Sequence, residues 1–217
     1  MSPLLARPVK APAASGPGSV PPKVAGTTAV AIRLAAIELF AERGYSNTTM
    51  QAIAQRVGIQ PSGIYNHVDS KQTLLRDITQ EAIEELIEIA HAGIASTDDI
   101  AQQIYRAAAG HAAYHATHRL EMFICNGEIP NIEEPARTRV VTHRQEYVRV
   151  FTRVIERGIA AGRFAPVSSP RLTTYAILQM GIGVSVWYHD DGDLSPTDIG
   201  DLYGRYALKL VGAPEGA

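Results

Sequence analysis

The sequence has one cysteine, few aromatic residues and no long apolar run, and these scarcities exclude several classes of protein. With Cys125 alone among 217 residues, the chain can form neither an internal disulfide nor a zinc site with several cysteines. No run of about 18 apolar residues occurs, so the sequence predicts no transmembrane helix and no membrane partner. The first residues lack a charged segment followed by a compact apolar one, so we expect no signal peptide and a cytoplasmic protein.

Acidic residues are scarce in the first third of the chain. Residues 1–76 contain 8 lysines and arginines against 3 aspartates and glutamates, whereas residues 77–217 contain 12 against 19. This asymmetry favours a polyanionic partner for the first part, although the net charge is only −2. Residues 1–26 hold six of the thirteen prolines and no acid, which predicts a disordered basic arm. The arm is interpreted either as an inert leader or as an additional contact to nucleic acid.

Strand patterns are lacking as well, because no alternating run of valine, isoleucine and threonine is bounded by turns. From Thr28 onward, apolar residues recur at helical spacing between glycines, prolines and capping residues. Val30, Leu34, Ile37 and Ala41 are predicted to share one buried face of the first helix. The whole pattern predicts an all-α fold of nine helices, beginning near residues 28, 48, 61, 70, 99, 120, 135, 170 and 196.

Residues 48–71 contain the pattern that points to a function. Two short helices joined by a tight turn at Val57–Ile59 make a helix-turn-helix, with a capping box expected at Thr48. Ile64 and Val68 are four residues apart and would anchor the second helix, predicted at residues 61–68, to the core. Its eight residues would span about 12 Å, roughly the width of a major groove, so it is predicted to be the recognition helix. Its outer face carries no acid: Ser62, Gly63, Asn66 and His67.

The stretch from Thr28 to about Leu75 resembles the DNA-binding domain of the TetR family of bacterial transcriptional repressors. The residues that carry the resemblance are Phe40, Gly44, Thr48-Thr49, Ile53-Ala54, Val57-Gly58, Gly63-Ile64-Tyr65, His67 and Ser70-Lys71. The resemblance implies that residues 27–74 form a helix-turn-helix domain that binds a double-stranded DNA operator. The residues it places at the DNA are Thr48, Thr49, Gln60, Pro61, Ser62, Gly63, Tyr65, Asn66, His67 and Lys71.

The family motif implies two kinds of contact within that set. Thr48, Thr49, Tyr65 and Lys71 match positions that contact phosphates, and the other six occupy the region that faces base edges. Asn66 could pair with adenine. No arginine lies on this face, so guanine recognition must come from elsewhere or from indirect readout. Two alternatives stay open at this stage, namely that Tyr65 packs on the first helix and that His67 caps or packs beside the fourth.

Residues 75–217 are predicted to form a ligand-binding and dimerisation domain. The resemblance implies that the last two helices form a four-helix bundle with a second copy, although the same residues could serve an intramolecular core. The residues of that face are Leu172, Tyr175, Ala176, Gln179, Gly183, Val186, Leu202, Tyr206 and Leu210, with Gly181 and Gly183 permitting close approach. The middle helices should enclose a small-molecule effector. The residues expected to line this pocket are Tyr114, His118, Met122, Phe123, Arg144, Tyr147, Trp187 and Tyr188.

Short segments near the end of the chain suggest the class of effector. Gly162–Phe164, and Val186–Tyr188 followed by a turn and Leu194-Ser195, resemble TetR members that control fatty-acid and sterol catabolism. Those regulators commonly sense acyl-coenzyme A thioesters, so the resemblance implies an acyl-CoA or related lipid-derived effector. A run of arginines is either a solvated face paired with glutamates or a site for a phosphorylated or carboxylated effector. Its members are Arg137, Arg139, Arg144, Arg149 and Arg153.

Two other function classes, a metal-responsive regulator and an enzyme, have sequence signatures of their own. His111, His115 and His118 lie at i, i+4 and i+7 with Glu121 beyond, a spacing that suits either a helix-borne metal or ordinary helix and pocket residues. No nucleophile-elbow, Walker, dinucleotide or metalloprotease motif occurs, so we expect no enzyme, no cofactor and no metal. The sequence thus predicts a homodimeric, ligand-responsive repressor of a palindromic operator. The alternative is an activator or a metal-responsive regulator of the same fold.

Overall fold

A computed structural model describes residues 25–214 of the chain, and every regular element in that range is helical. The all-α prediction is therefore confirmed, with eight α-helices and two 3-10 helices in the described range. The helices are α1 (Ala25–Arg43), α2 (Met50–Val57), α3 (Lys71–Ala95), α4 (Ile100–Thr117), α5 (Arg119–Gly127), α6 (Ala136–Ala160), α7 (Pro170–Trp187) and α8 (Pro196–Leu210). The 3-10 helices are Gly63–Asn66 and Ile129–Asn131. The predicted arm lies outside the described residues except for positions 25 and 26, which begin α1.

The predicted recognition helix is shorter and tighter than the sequence suggested. In place of an eight-residue helix at residues 61–68, the chain forms one 3-10 turn, Gly63–Asn66, here called the reading turn. Its hydrogen bonds join residues three apart, from Gly63 N to Gln60 O at 2.9 Å and from His67 N to Ile64 O at 3.0 Å. A glycine disfavours a longer α-helix, and short runs are where 3-10 geometry occurs. The anchor is as expected, because Ile64 is fully buried.

The predicted inner face of α1 is half wrong. Ile37 and Ala41 are buried, but Val30 and Leu34 are 56% and 54% exposed. The residues that fill the core instead are Ile32, Ala35, Ala36, Leu39 and Phe40. Apolar residues occur on several sides of α1, so the helical period alone did not select the face that packs.

Capping residues set most helix starts where the sequence placed them. Asp99 accepts hydrogen bonds from Ala101 N and Gln102 N at the start of α4. Ser195 and Asp198 form a reciprocal capping box at the start of α8. The cap expected at Thr48 is shifted by one residue, as described below.

Helix α4 lies at the centre of the larger part of the fold and packs against α3, α6, α7 and α8. Two glycines allow α8 to approach it closely. A Cβ on Gly200 would lie 2.8 Å from Ala109 O, and one on Gly204 would lie 2.7 Å from the Tyr105 ring. Helices α1, α2 and the reading turn form a smaller head around Phe40, Ile53 and Ile64. The predicted boundary between residues 74 and 75 falls inside α3, so that one helix is common to both parts.

Across residues 25–214, the helices are all too short or too polar to cross a lipid bilayer.

Candidate DNA-binding surface and effector cavity

Residues 60–67 of the helix-turn-helix present a polar surface without acidic residues. Thr49, not Thr48, caps α2 by accepting a hydrogen bond from Ala52 N at 3.1 Å, and Gly58 ends the helix in the left-handed region with φ of 76°. Tyr65 is 55% exposed, and its hydroxyl makes no hydrogen bond within residues 25–214. The neighbours exposed with it are Gln60, Pro61, Ser62, Asn66 and His67, while Gly63 is half-buried. These side chains are free to contact a ligand as large as DNA.

Two residues at or beside this surface, Arg56 and His67, have neighbours within the protein. Arg56, the single arginine of α2, is held by Glu38 at 2.8 Å and Glu42 at 2.9 Å. Arg56 is therefore held away from guanine contacts, so α2 does not supply the arginine that the reading turn lacks. His67 also borders a small cleft between α1 and α3 that Asp77 helps to line. It thus lies at the inner edge of the reading turn, on the side of the fourth predicted helix.

Two residues predicted to contact phosphates, Thr48 and Lys71, form hydrogen bonds within the protein in this structure. Thr48 is 1% exposed, and its hydroxyl lies 3.1 Å from Leu39 O and 3.0 Å from Gly44 O, either of which can accept its proton. Lys71 Nζ donates to Tyr45 O and to Thr48 O, each at 2.8 Å, and lies 4.3 Å from the Tyr45 ring centroid. Burial lowers the pKa of Lys71. Both side chains fix the loop between α1 and α2, and the Thr48 hydroxyl is out of reach of a phosphate.

A cavity of about 750 Å³ lies between α3, α4, α5, α6 and α7, within the size range of small-molecule sites. Its inner wall is buried and largely apolar, formed by Ala82, Ile83, Leu86, Met122, Val140 and Leu178. Its outer rim, from α6 and α7, is exposed and polar, formed by Gln145, Arg149, Arg153, Glu156, Arg171 and Gln179. The cavity is therefore apolar inside and cationic at its mouth.

Three of the eight residues predicted to line the pocket do so, namely Met122, Arg144 and Tyr147. Tyr114 and His118 stack on each other with ring centroids 4.2 Å apart, and Tyr114 donates to Glu85 at 2.7 Å. Tyr188 packs in a separate apolar cluster at the end of α7. Phe123 and Trp187 lie on faces of α5 and α7 that do not border the cavity. Composition identified four of the five helices around the cavity and missed α3, and it could not give the rotation of each helix about its axis.

Several lining residues were missed or left as alternatives. The sequence leaves open whether Arg149 and Arg153 form an effector site or a solvated face, and in the structure both border the cavity. Arg137, by contrast, pairs with Glu134 at 2.9 Å as on an ordinary helix surface. Arg171 on α7 was not predicted. Its only signal in the sequence is its position in the first turn of a helix that also supplies Leu178 and other lining residues.

Two neutral histidines of α4 lie against the inner wall. His111 is fully enclosed, and burial lowers its pKa to about 4. Its Nε2 lies 3.0 Å from Leu178 O and must donate to it, so Nδ1 accepts from the Tyr147 hydroxyl at 3.0 Å. Burial and the neighbouring His111 also lower the pKa of His115 well below its usual value. Its Nδ1 donates to His111 O at 2.9 Å.

These bonds bear on the metal alternative. Both ring nitrogens of His111 are hydrogen-bonded, and His118 turns towards Tyr114 and Glu121 instead of the other histidines. In the part of the chain that the structure describes, no group of three histidine, cysteine or acidic side chains is arranged to hold a metal ion. Cys125 is buried, which raises the pKa of its thiol to about 12 and keeps it protonated.

Helix α5 connects the cavity to the head. On one side it lines the cavity with Met122 and Cys125. On the other side Glu121 accepts a hydrogen bond from Arg33 of α1 at 2.5 Å, and Arg33 also lies 3.1 Å from Glu81 of α3. Just beyond the end of α5, Glu128 accepts a hydrogen bond from the backbone N–H of Tyr45 at 3.3 Å. A displacement of α5 would therefore change contacts at both the cavity and the head.

The last two helices expose apolar side chains. The exposed residues are Leu172, Tyr175, Val186, Trp187 and Tyr206, between 37% and 60% exposed. The two glycines expected to aid helix approach there have different surroundings. A Cβ on Gly181 would lie 2.2 Å from His111 Cδ2, so Gly181 makes room for that imidazole inside the chain. A Cβ on Gly183 would have open space around it.

Two family models match the chain. The model described as bacterial regulatory proteins, tetR family, matches residues 32–78, which include the helix-turn-helix. The model described as tetracyclin repressor-like, C-terminal domain, matches residues 97–211, which include α4 to α8. Both models describe regulators, and neither describes an enzyme.

Individual proteins are similar over most of the chain. The HTH-type transcriptional repressor KstR2 of Mycolicibacterium smegmatis is 25% identical over 191 residues, which cover 83% of this chain and 89% of that repressor. A bacterial regulatory protein of the tetR family from Rhodococcus RHA1 is 29% identical with a TM-score of 0.79, over 87% of this chain and 98% of that chain. AibR in complex with isovaleryl coenzyme A and operator DNA shares the fold at 21% identity, with a TM-score of 0.74 over 86% of this chain and 100% of its own. This chain belongs to the tetR family of bacterial regulatory proteins.

Proposed function

We propose that the protein is a homodimeric transcriptional repressor that leaves its operator when an acyl-coenzyme A or a related lipid-derived thioester binds. The observation that carries the proposal is the cavity with an apolar interior and an arginine-rich mouth, one wall of which also holds the DNA-binding head through Arg33 and Glu121. The relative KstR2 is a repressor by name. The cytoplasm, where operator DNA is found, is the proposed place of action.

The proposed DNA contacts come from the reading turn and the start of α2. The exposed hydroxyls of Thr49 and Tyr65 donate to phosphates, and Ser62 and Asn66 face base edges. Lys71 holds the loop before α2 in place and brings positive charge to the backbone. The full proposed set is Thr49, Gln60, Pro61, Ser62, Gly63, Tyr65, Asn66, His67 and Lys71, with Thr48 supporting it from beneath.

A coenzyme A thioester matches both ends of the cavity. Its acyl chain would pack on the buried apolar wall, where contact area stabilises it. Its phosphates would meet Arg149, Arg153 and Arg171, because guanidinium groups form charge-assisted bonds with phosphate oxygens. AibR, which has the same fold, is known in complex with isovaleryl coenzyme A and operator DNA.

Dimerisation would place two reading turns on successive half-sites of a near-palindrome, as helix-turn-helix dimers do. The exposed apolar residues of α7 and α8 supply the self-complementary surface that a two-fold dimer needs. The effector acts by binding better to the DNA-free shape, and a hundredfold preference corresponds to about 2.7 kcal/mol of coupling. Helices α3 and α5 transmit the conformational change from the cavity to the head, because each lines the cavity and contacts the head.

The proposal is tested by selecting bound DNA from a random pool and titrating the selected duplex complex with saturated acyl-CoAs of increasing length. We expect a palindromic consensus and its release by at least one thioester at micromolar concentration. Fluorescence anisotropy of labelled operator reports the release. The proposal fails if no thioester changes operator binding up to about 100 μM, the weak end of a regulatory affinity.

Arginine variants of α6 provide a matched control. The double variant Arg149→Ala/Arg153→Ala removes two rim charges and should raise the thioester concentration needed for release by about tenfold or more. The double variant Arg137→Ala/Arg139→Ala removes the same charge from the same helix outside the cavity and should leave it unchanged within about twofold. Equal effects of the two variants would assign the loss to net charge, not to the rim.

A further inference from the structure

Among the residues that the structure describes, none forms a hydrogen bond with Nε2 of His115. Its Nδ1 lies 2.9 Å from His111 O, and because a carbonyl only accepts, Nδ1 carries the proton of the ring. Burial keeps the ring neutral by lowering its pKa, so Nε2 is a lone-pair acceptor. That atom is buried and unpaired within residues 25–214, and the His115 side chain, 1% exposed, lines the cavity. A buried acceptor without a donor is costly, so it points to a group supplied by the occupant of the cavity.

The hydroxyl of Tyr147, a residue that also lines the cavity, is already used within the protein. Tyr147 donates its single proton to His111 Nδ1 at 3.0 Å, since Nε2 of that ring donates to Leu178 O. Gly181 leaves room for this arrangement, because a side chain there would collide with the His111 ring. Tyr147 therefore cannot turn to His115 without leaving His111 Nδ1 without a donor.

Arg144 limits which chemical groups of a bound molecule can lie at the end of the cavity lined by His115. Its guanidinium, on α6, borders the same cavity, only donates, and makes no hydrogen bond or ion pair with the described residues. A ligand ammonium would be repelled by this charge. A carboxylate would suit Arg144 but would set its lone pairs against the lone pair of His115 Nε2. A hydroxyl can donate to His115 and can also accept from Arg144.

We infer, building on the function proposed above, that the effector is a hydroxylated acyl compound whose hydroxyl lies at the buried end of the cavity and donates to His115 Nε2. His115 is then the residue that selects hydroxylated over unsubstituted chains. An unsubstituted chain leaves Nε2 unpaired, and a keto group would place a second acceptor against it. Sites built to hydrogen-bond a substrate group discriminate strongly against analogues that lack it.

The test is calorimetric titration of the full chain with decanoyl-CoA, its monohydroxylated isomers with the hydroxyl at successive positions up to the terminal carbon, and the matching ketones. At least one hydroxylated isomer should bind about tenfold or more tightly than decanoyl-CoA, while its ketone binds no better than the parent. His115→Phe keeps a ring of similar size and removes the acceptor, and should bring the ratio to about one. His118→Phe, at the residue that follows α4 and outside the cavity, should leave the ratio unchanged.

The outcomes separate this inference from the proposed function. Equal binding of hydroxylated and parent thioesters to the unmodified protein would overturn the hydroxyl inference and leave the thioester proposal standing. Tighter binding of hydroxylated decanoic acids than of decanoic acid, with no thioester binding, would support the hydroxyl and reject the thioester. A hydroxyl preference that survives in His115→Phe would overturn the assignment to His115. The comparison in the unmodified protein does not depend on how well either variant folds.

Discussion

Tyr65 and Asn66 are neighbours in the reading turn, yet they are expected to supply different kinds of binding energy. The turn is anchored by the fully buried Ile64, so both side chains project outward from a fixed point. A hydroxyl that reaches the phosphate backbone contributes equally to every DNA sequence, whereas an amide that reads a base edge contributes only to the right one. Paired variants can therefore distinguish the two roles.

Tyr65→Phe should weaken binding to the selected operator and to a scrambled duplex by the same factor. The variant removes one hydroxyl and keeps the ring, so about 1 kcal/mol, or roughly fivefold in affinity, is expected at fixed salt. Anisotropy titrations on both duplexes measure it. A loss confined to the selected operator would instead place the Tyr65 hydroxyl against a base.

Asn66→Ala should relax sequence choice. An amide paired with adenine contributes about 1–3 kcal/mol of discrimination, so the variant should lose that much on the operator and little on scrambled DNA. A repeat selection from the random pool should show degeneracy at one position of each half-site. Equal losses on both duplexes would remove Asn66 from the base-reading set.

Gly181→Ala should destabilise the fold through His111. The added methyl would lie 2.2 Å from His111 Cδ2, and the enclosed ring can move only by breaking its bonds to Leu178 O and Tyr147. Overpacking of this kind costs about 1–3 kcal/mol, measurable by urea unfolding. Gly127→Ala, at the last residue of α5, is the control, because its methyl meets open space and should stabilise the helix by up to about 1 kcal/mol. Equal stability of the two variants would show that the ring relaxes freely.

At the scale of helices, the sequence predicted the order and the ends of the elements better than their faces. Caps such as Asp99 and Ser195 depend on neighbours within four residues, so they can be read from the chain alone. Val30 and Leu34 were assigned to the core because α1 is apolar on more than one side. Only the packing of α2, α3 and α5 against α1 decides which side is buried.

The two candidate sites also differ in how much of each could be predicted from the sequence. The reading surface follows a contiguous motif, so the exposure of Tyr65 and Asn66 could be predicted from sequence. The cavity draws on five helices, and whether a residue lines it depends on helix rotation, which composition does not encode. Tyr114 was therefore placed there although it faces Glu85, and Arg171 was missed. The unpaired nitrogen of His115 emerges only when both histidines and their carbonyl partners are in place.

Helix α5 should be a route for communication between the cavity and the head, and Glu121→Gln tests it. The variant removes the charge that joins α5 to Arg33, while Arg33 keeps Glu81 at 3.1 Å. Operator affinity without effector and effector affinity without operator should each change by less than about threefold, but effector-induced release should weaken by about fivefold or more, roughly 1 kcal/mol of coupling.

The control for this variant is Glu38→Gln. It loosens a different ion pair of the head, with Arg56, and leaves α5 untouched. It should preserve the full response of operator binding to effector. An unchanged response in Glu121→Gln would assign the coupling to α3 alone.

At the scale of the whole molecule, the proposed dimer can be tested by one charge on the α7–α8 surface. Val186→Glu places a carboxylate on a side chain that is 40% exposed and should be buried between subunits, where an unpaired charge is strongly disfavoured. We expect light scattering to show the 23.4 kDa monomer, and operator affinity to fall by about tenfold or more because one head binds one half-site. Ile159→Glu is the matched control, because that side chain is 38% exposed but lies on α6. It should stay dimeric; a dimer in both variants would place the interface elsewhere on the molecule.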